Sequence, residues 1–107
     1  SANVFAWRGG KLCTPALGTG ILEGVTRGFM LRIAAAEGLA CEECDLLPAD
    51  LIASDEVMLT STLKEVMPVV QLGPDQVGEG KPGPLAVRLH AGYKALALQQ
   101  ARSGEGT

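Results

Sequence analysis

Between Pro15 and Val25 the chain changes its hydrophobic period, and this change limits the folds open to it. Ahead of that point, the short apolar segments Asn3 to Trp7 and Lys11 to Thr14 flank Arg8-Gly9-Gly10. A Gly-Gly pair supplies the positive φ angles of a tight hairpin turn, so the opening residues read as a β-hairpin. A glycine-punctuated stretch, Leu17-Gly18-Thr19-Gly20-Ile21-Leu22-Glu23-Gly24, then gives way to Val25, Phe29, Ile33 and Ala36 at helical spacing. With Gly38 as a C-terminal stop, the helix is expected over roughly residues 24 to 37. A hairpin followed directly by an amphipathic helix calls for a mixed α and β fold.

The rest of the chain continues that alternation. Leu39 to Leu47 reads as a strand passing into a loop, and Pro48 sits where proline opens a short helix through Ala53. Glu56 to Thr60 is a buried strand ending in Thr60-Ser61-Thr62. A second strand is expected over Val66 to Leu72, with Pro68 best tolerated at a sheet edge, and Gly73-Pro74-Asp75 as a turn. After the connector Gly78 to Pro84, the residues Leu85, Leu89, Tyr93 and Leu96 form the apolar stripe of a final helix. Residues 1–102 are expected to be one α+β domain, and 103–107 a polar tail.

Composition removes several classes of function. At 107 residues the chain is one small domain, its apolar and charged fractions of 47% and 20% being those of folded globular proteins. The net charge of −3, without a Lys/Arg cluster, argues against nucleic acid as a partner. Apolar runs such as Val57-Met58-Leu59 are too short to span a bilayer, and the opening residues read directly as structured sequence; a cytoplasmic setting is expected. Cys13, Cys41 and Cys44 are an odd, sparse set that reads as reduced thiols.

Two segments can hold an anion. In Gly20 to Arg27 a flexible loop meets a helix start whose free N–H groups and dipole attract phosphate, with Gly24 allowing close approach and Thr26 adding a hydroxyl. On these residues alone an ordinary helix start, with Gly24 as a cap and Thr26 as its nearby polar residue, is the better explanation. In Thr60-Ser61-Thr62 a run of hydroxyls ends an apolar strand, and it serves either as a donor set or as a polar turn. Other patterns carry less. Gly78-Glu79-Gly80-Lys81-Pro82-Gly83 matches G-x-G-x-x-G, but no further strand and acidic residue follow as a dinucleotide fold requires. Asp75 and Pro82 occupy positions that a P-loop gives to Gly and Ser/Thr. Cys41-Glu42-Glu43-Cys44 has no second pair, and His90 is the lone histidine, so a four-ligand zinc site cannot be completed. His90 beside the last stripe reads as a surface or partly packed residue. Asp55 and Glu56, at a strand start, are expected to face solvent.

Read together and in order, these blocks resemble the class IV (fold-type IV) pyridoxal-phosphate aminotransferase family, which includes branched-chain and D-amino-acid aminotransferases and aminodeoxychorismate lyase. The matching residues are Ser1 to Phe5, Thr14-Pro15, Gly20 to Arg27, Asp55-Glu56-Val57, Thr60-Ser61-Thr62 with Glu65 and Pro68-Val69, and Gly78 to Pro84. The resemblance implies the C-terminal domain of that fold, short strands in a mixed sheet or pseudo-barrel with flanking helices. It implies that Gly24, Val25 and Thr26, with Ser61 and Thr62, hold the phosphate of pyridoxal 5′-phosphate. Leu22 would pack against the ring, and the backbone at Thr62-Leu63 would meet the substrate carboxylate. Glu65 with Pro68-Val69 looks more like the aminotransferases than the lyases, and the C-terminal portion of aminodeoxychorismate lyase is the alternative enzyme that the resemblance implies.

The same resemblance implies what the 107 residues lack. In the family the Schiff-base lysine, a phosphate-binding arginine and the glutamate that pairs with the pyridine nitrogen all precede the block that begins here at Ser1. That glutamate would stand about three residues upstream of Ser1. Lys11, Lys64, Lys81 and Lys94 do not occupy the catalytic position, so the chain alone is expected to be inactive. The implied partners are the missing N-terminal half, a second copy in a homodimer, and an amino acid with its 2-oxo acid. A non-catalytic assembly module that keeps these motifs as scaffold is the expectation from another class.

Overall fold

A computed structural model of the chain describes residues 2–15, 21–61 and 66–103. The hairpin forms as expected: β1 (Ala2–Arg8) turns through Gly9 and Gly10, at φ 55° and 81°, into β2 (Lys11–Thr14). Two consecutive positive φ angles give the turn whose twist matches that of the strands, and they close the register at Arg8 opposite Lys11. From β2 the chain enters α1 (Ile21–Ala36) and returns in β3 (Cys41–Glu43), which lies parallel to β2. After the short α2 (Pro48–Ile52), β4 (Glu56–Ser61) pairs with the other side of β1, and β5 (Val66–Val69) forms the outer strand. The order β3-β2-β1-β4-β5 makes a mixed five-stranded sheet. A second hairpin, β6 (Gln71–Leu72) and β7 (Asp75–Gln76), precedes the long α3 (Pro84–Ser103).

Strand alternation divides the core in two. Phe5, Leu12, Met58 and Val66 face the helices and are buried with Met30, Ile33, Ala34, Leu85, Leu89 and Tyr93. Ala6 and Val57 face the other way and are covered by Val77, with Leu46, Leu51, Val69 and Leu72 around them. Helices α1 and α3 pack together over the first face, joined by Phe29 against Tyr93 at 5.4 Å between ring centroids and by an Arg88–Glu37 ion pair at 2.7 Å. Gly38, at φ 73°, ends α1 in a Schellman arrangement: its N–H donates to the Ala35 carbonyl and that of Leu39 to the Ala34 carbonyl.

Three boundaries differ from the sequence reading. Helix α1 starts at Ile21, a turn ahead of the expected residue 24, because Ile21-Leu22-Glu23 extend it through a glycine that costs only about 1 kcal/mol. The strand expected over Val66 to Leu72 breaks at Val70. Val69 and Leu72 there bend under the second face, and Pro68 sits on the outer strand opposite Met58. Helix α3 runs through Ser103, into the expected tail, whose residues 104–107 lie outside the described residues.

Candidate functional site at the carboxyl ends of the strands

The crossover from β2 through α1 to β3 determines where the site residues fall. Parallel neighbours joined by one helix require that helix to start beyond the carboxyl end of the first strand and run back over the sheet. Since β1 is antiparallel to both β2 and β4, the carboxyl end of β4 lies at that same edge. The start of α1, Thr14 and Pro15 after β2, Glu43 at the end of β3, and Ser61 opposite Ala2 therefore share one end of the sheet. That end holds the carboxyl ends of β2, β3 and β4, and the N–H groups of a helix terminus there can receive an anion.

Arg27 ties this edge together, a part in the site that the sequence reading missed. Its guanidinium donates to the Pro15 carbonyl at 3.1 Å and to the Glu43 carboxylate at 2.8 Å, and only 7% of the side chain is exposed. The first half of α1 is thereby fixed to the ends of β2 and β3. The signal was present, since an arginine one residue past the expected cradle falls on the helix face turned toward the sheet, but its partners lie 12 and 16 residues away in sequence. Thr14 supports the same edge by donating to the Val4 carbonyl at 2.8 Å.

The anticipated site residues are described to different depths. Leu22, Gly24, Val25 and Thr26 occupy the first and second turns of α1, and Ser61 closes β4; their side chains, and Thr62, Leu63, Lys64 and Glu65 as a whole, lie outside the described residues. Because α1 begins at Ile21, the unpartnered N–H groups of its first turn come just before Val25 and Thr26 rather than on them. The described backbone thus brings the described parts of both candidate segments, Ile21 to Arg27 and Thr60-Ser61, to one edge. Thr60, the first hydroxyl of the second segment, is fully buried there, and its Oγ1 has no hydrogen-bond partner among the described residues.

Other sequence features resolve into structure. Glu56, expected in solvent, is half-buried on the helix face of β4, and its carboxylate accepts the Leu85 and Ala86 N–H groups at 3.0 Å each. The connector glycines permit this: a side chain at Gly83 would collide with that carboxylate, while Gly78, at φ 55°, lies against the Asp55 carbonyl. The connector also walls a cleft of about 460 Å³ with Trp7, Asp55 and Lys81, at the opposite end of the sheet. Lys11 opens β2 at that far end as well. Cys13 and Cys44 are hydrogen-bonded neighbours; burial and that contact push the Cys44 thiol up to about 11, and burial raises Cys41. Both shifts favour the protonated thiol, the less nucleophilic form. Among the described residues no group of His, Cys, Asp and Glu is placed to hold a metal, and no helix is long and apolar enough to cross a membrane.

Comparison with known proteins agrees with this geometry. The family described as amino-transferase class IV matches residues 1–72. A D-alanine aminotransferase of Listeria monocytogenes is 36% identical over 90 residues, covering 84% of this chain and 31% of its own length. A probable branched-chain-amino-acid aminotransferase of Thermotoga maritima is 35% identical over 97 residues, covering 91% of this chain and 36% of its own. In structure, the branched-chain amino acid aminotransferase of Escherichia coli superposes with a TM-score of 0.74 at 31% identity, over 99% of this chain and 34% of that one. A thermophilic archaeal counterpart, the branched-chain aminotransferase of Thermoproteus uzoniensis with norvaline, superposes with a TM-score of 0.80 at 29% identity, over 95% of this chain and 33% of that one. The chain spans about a third of the length of these relatives. With a fold-type IV sheet, a helix start at its carboxyl edge and the family match over residues 1–72, the chain belongs to the class IV aminotransferases.

Proposed function

We propose that this chain is the cofactor-phosphate-binding, C-terminal portion of a pyridoxal 5′-phosphate-dependent aminotransferase of the branched-chain or D-amino-acid type. The observation that carries the reading is the meeting of the α1 start and the end of β4 at one edge of the sheet. The groups there suit a phosphate ester. They are helix N–H groups and hydroxyls, with a buried Thr60 hydroxyl that has no partner among the described residues. When bound, pyridoxal phosphate supplies the electron sink that lets an amino group pass between an amino acid and a 2-oxo acid.

In this reading the chain's own residues bind and orient. The unpartnered first-turn amides of α1 up to Gly24, beside Val25, with the Thr26 hydroxyl and Ser61 and Thr62, hold the phosphate, and Leu22 packs against the ring. The backbone at Thr62-Leu63 receives the substrate carboxylate. Arg27 keeps the helix start seated while the phosphate charge is held. The lysine that carries the cofactor, and the glutamate for its ring nitrogen, come from a segment preceding Ser1. The assembled enzyme is a cytoplasmic homodimer.

Amino-group transfer tests this reading. The 107-residue chain, given pyridoxal phosphate, an amino acid and a 2-oxo acid, is expected to be inactive. A polypeptide that extends it upstream through the lysine-bearing segment is expected to transaminate either branched-chain L-amino acids or D-alanine. Activity from the 107 residues alone would place the lysine wrongly, and inactivity of the longer polypeptide toward both substrate classes would refute the aminotransferase reading.

A further inference from the structure

Thr60 stands apart from the other buried polar side chains. Thr14 donates to the Val4 carbonyl, Ser54 donates to the Asp50 carbonyl, and Arg27 is doubly bonded. Thr60 is 0% exposed and, among the described residues, carries the one buried side-chain oxygen without a hydrogen-bond partner. Such a hydroxyl gives up its water and receives nothing in return, whereas valine would occupy the same space without that cost.

Its position narrows what could complete it. Thr60 lies between Asn3 on β1 and Val66 on β5, on the face of β4 that also bears Glu56 and Met58 and is covered by the helices. It immediately precedes Ser61, at the edge where α1 begins. A threonine hydroxyl offers one donor and two acceptor positions, and the anion proposed for this edge is rich in acceptors.

We propose that Thr60 is a further phosphate-site residue, its hydroxyl completed by donating to the bound phosphate group or to a water that the phosphate orders. This rests on the phosphate reading above. It adds a donor from inside the sheet to the donors expected at Gly24 to Thr26 and Ser61-Thr62. The empty protein then gives up a small part of its folding stability for a donor that is already desolvated when the anion arrives.

Inorganic phosphate titrated into the 107-residue chain, and pyridoxal phosphate in a parallel series, provide the test, with the phosphorus resonance and the melting temperature as readouts. Thr60→Val is expected to melt at or above the parent without phosphate, and to bind phosphate roughly ten- to a hundredfold more weakly. Thr60→Ser, which keeps the hydroxyl, is expected to bind close to the parent. If the parent shows no phosphate-dependent change, the phosphate reading itself fails. If the parent binds and Thr60→Val binds as well as it does, the cradle stands and the role given to Thr60 is wrong. A Thr60→Val chain that melts well below both parent and Thr60→Ser without phosphate would show that the hydroxyl serves the fold, and would also overturn the proposal.

Discussion

Replacing Glu56 measures how firmly α3 is attached to the sheet. Its carboxylate accepts two N–H groups from the first turn of α3, at Leu85 and Ala86, both at 3.0 Å. These are amides that a helix leaves unpaired, since Pro84 at the first position has no N–H and the next turn has not begun. Each hydrogen bond to a charged acceptor contributes about 1.5–3 kcal/mol, toward the lower end for a half-buried carboxylate, and the helix dipole adds a few tenths. Glu56→Ala should therefore cost about 3 kcal/mol and lower the melting temperature by roughly 15 °C. Glu56→Gln, which keeps one acceptor, should cost about half as much. A double-mutant cycle with Gly83 adds a sharper test. Gly83→Ala collides with the carboxylate and should cost about 1–3 kcal/mol in the parent, but much less once Glu56 is alanine. Denaturant unfolding of the four chains supplies the numbers. Costs that add to within about 0.5 kcal/mol, or a Glu56→Ala change below that, would refute this account of the connector.

Two further outcomes follow from the same contacts. Arg27→Met and Arg27→Lys should each cost about 1–3 kcal/mol by denaturant unfolding, because lysine cannot reproduce the fork that bonds Pro15 and Glu43 together. A lysine variant as stable as the parent would contradict the clamp. The Cys44 thiol, raised from 9.0 to about 11 by burial and by Cys13, binds its proton more tightly folded than unfolded. Its contribution to stability is thus present below pH about 9 and lost as pH rises toward about 11. Cys44→Ser should flatten that decline, and the native thiol should alkylate far more slowly than free cysteine at neutral pH; alkylation at the free rate would contradict the raised thiol.

Much of the fold was legible because it is local. The Gly9-Gly10 turn, the stripe of Leu85, Leu89 and Tyr93, and the Gly38 stop are each dictated by residues within a few positions of one another. What escaped the sequence depends on distant partners. Glu56 looked like a solvent-facing acid because the amides it caps lie 29 and 30 residues away. The break at Val70 arises from the second face of the sheet, where Val69 and Leu72 bury against Ala6 and Val57. For the site, Gly20 to Arg27 and Thr60 to Thr62 each stood out as donor-rich. Their shared edge depends on the β2–α1–β3 crossover and on β1 lying between β2 and β4, which no single segment encodes. The bonds of Arg27, and a Thr60 hydroxyl without a partner among the described residues, became visible only with that geometry.

The most direct test of the phosphate cradle is a crystal structure of the chain with pyridoxal 5′-phosphate. The account predicts the phosphate at the carboxyl edge of the sheet, within hydrogen-bond reach of both the start of α1 around Gly24 to Thr26 and the hydroxyls of Ser61, which ends β4, and Thr62. A phosphate bound elsewhere, or those two segments held too far apart for one phosphate group to bridge, would contradict it.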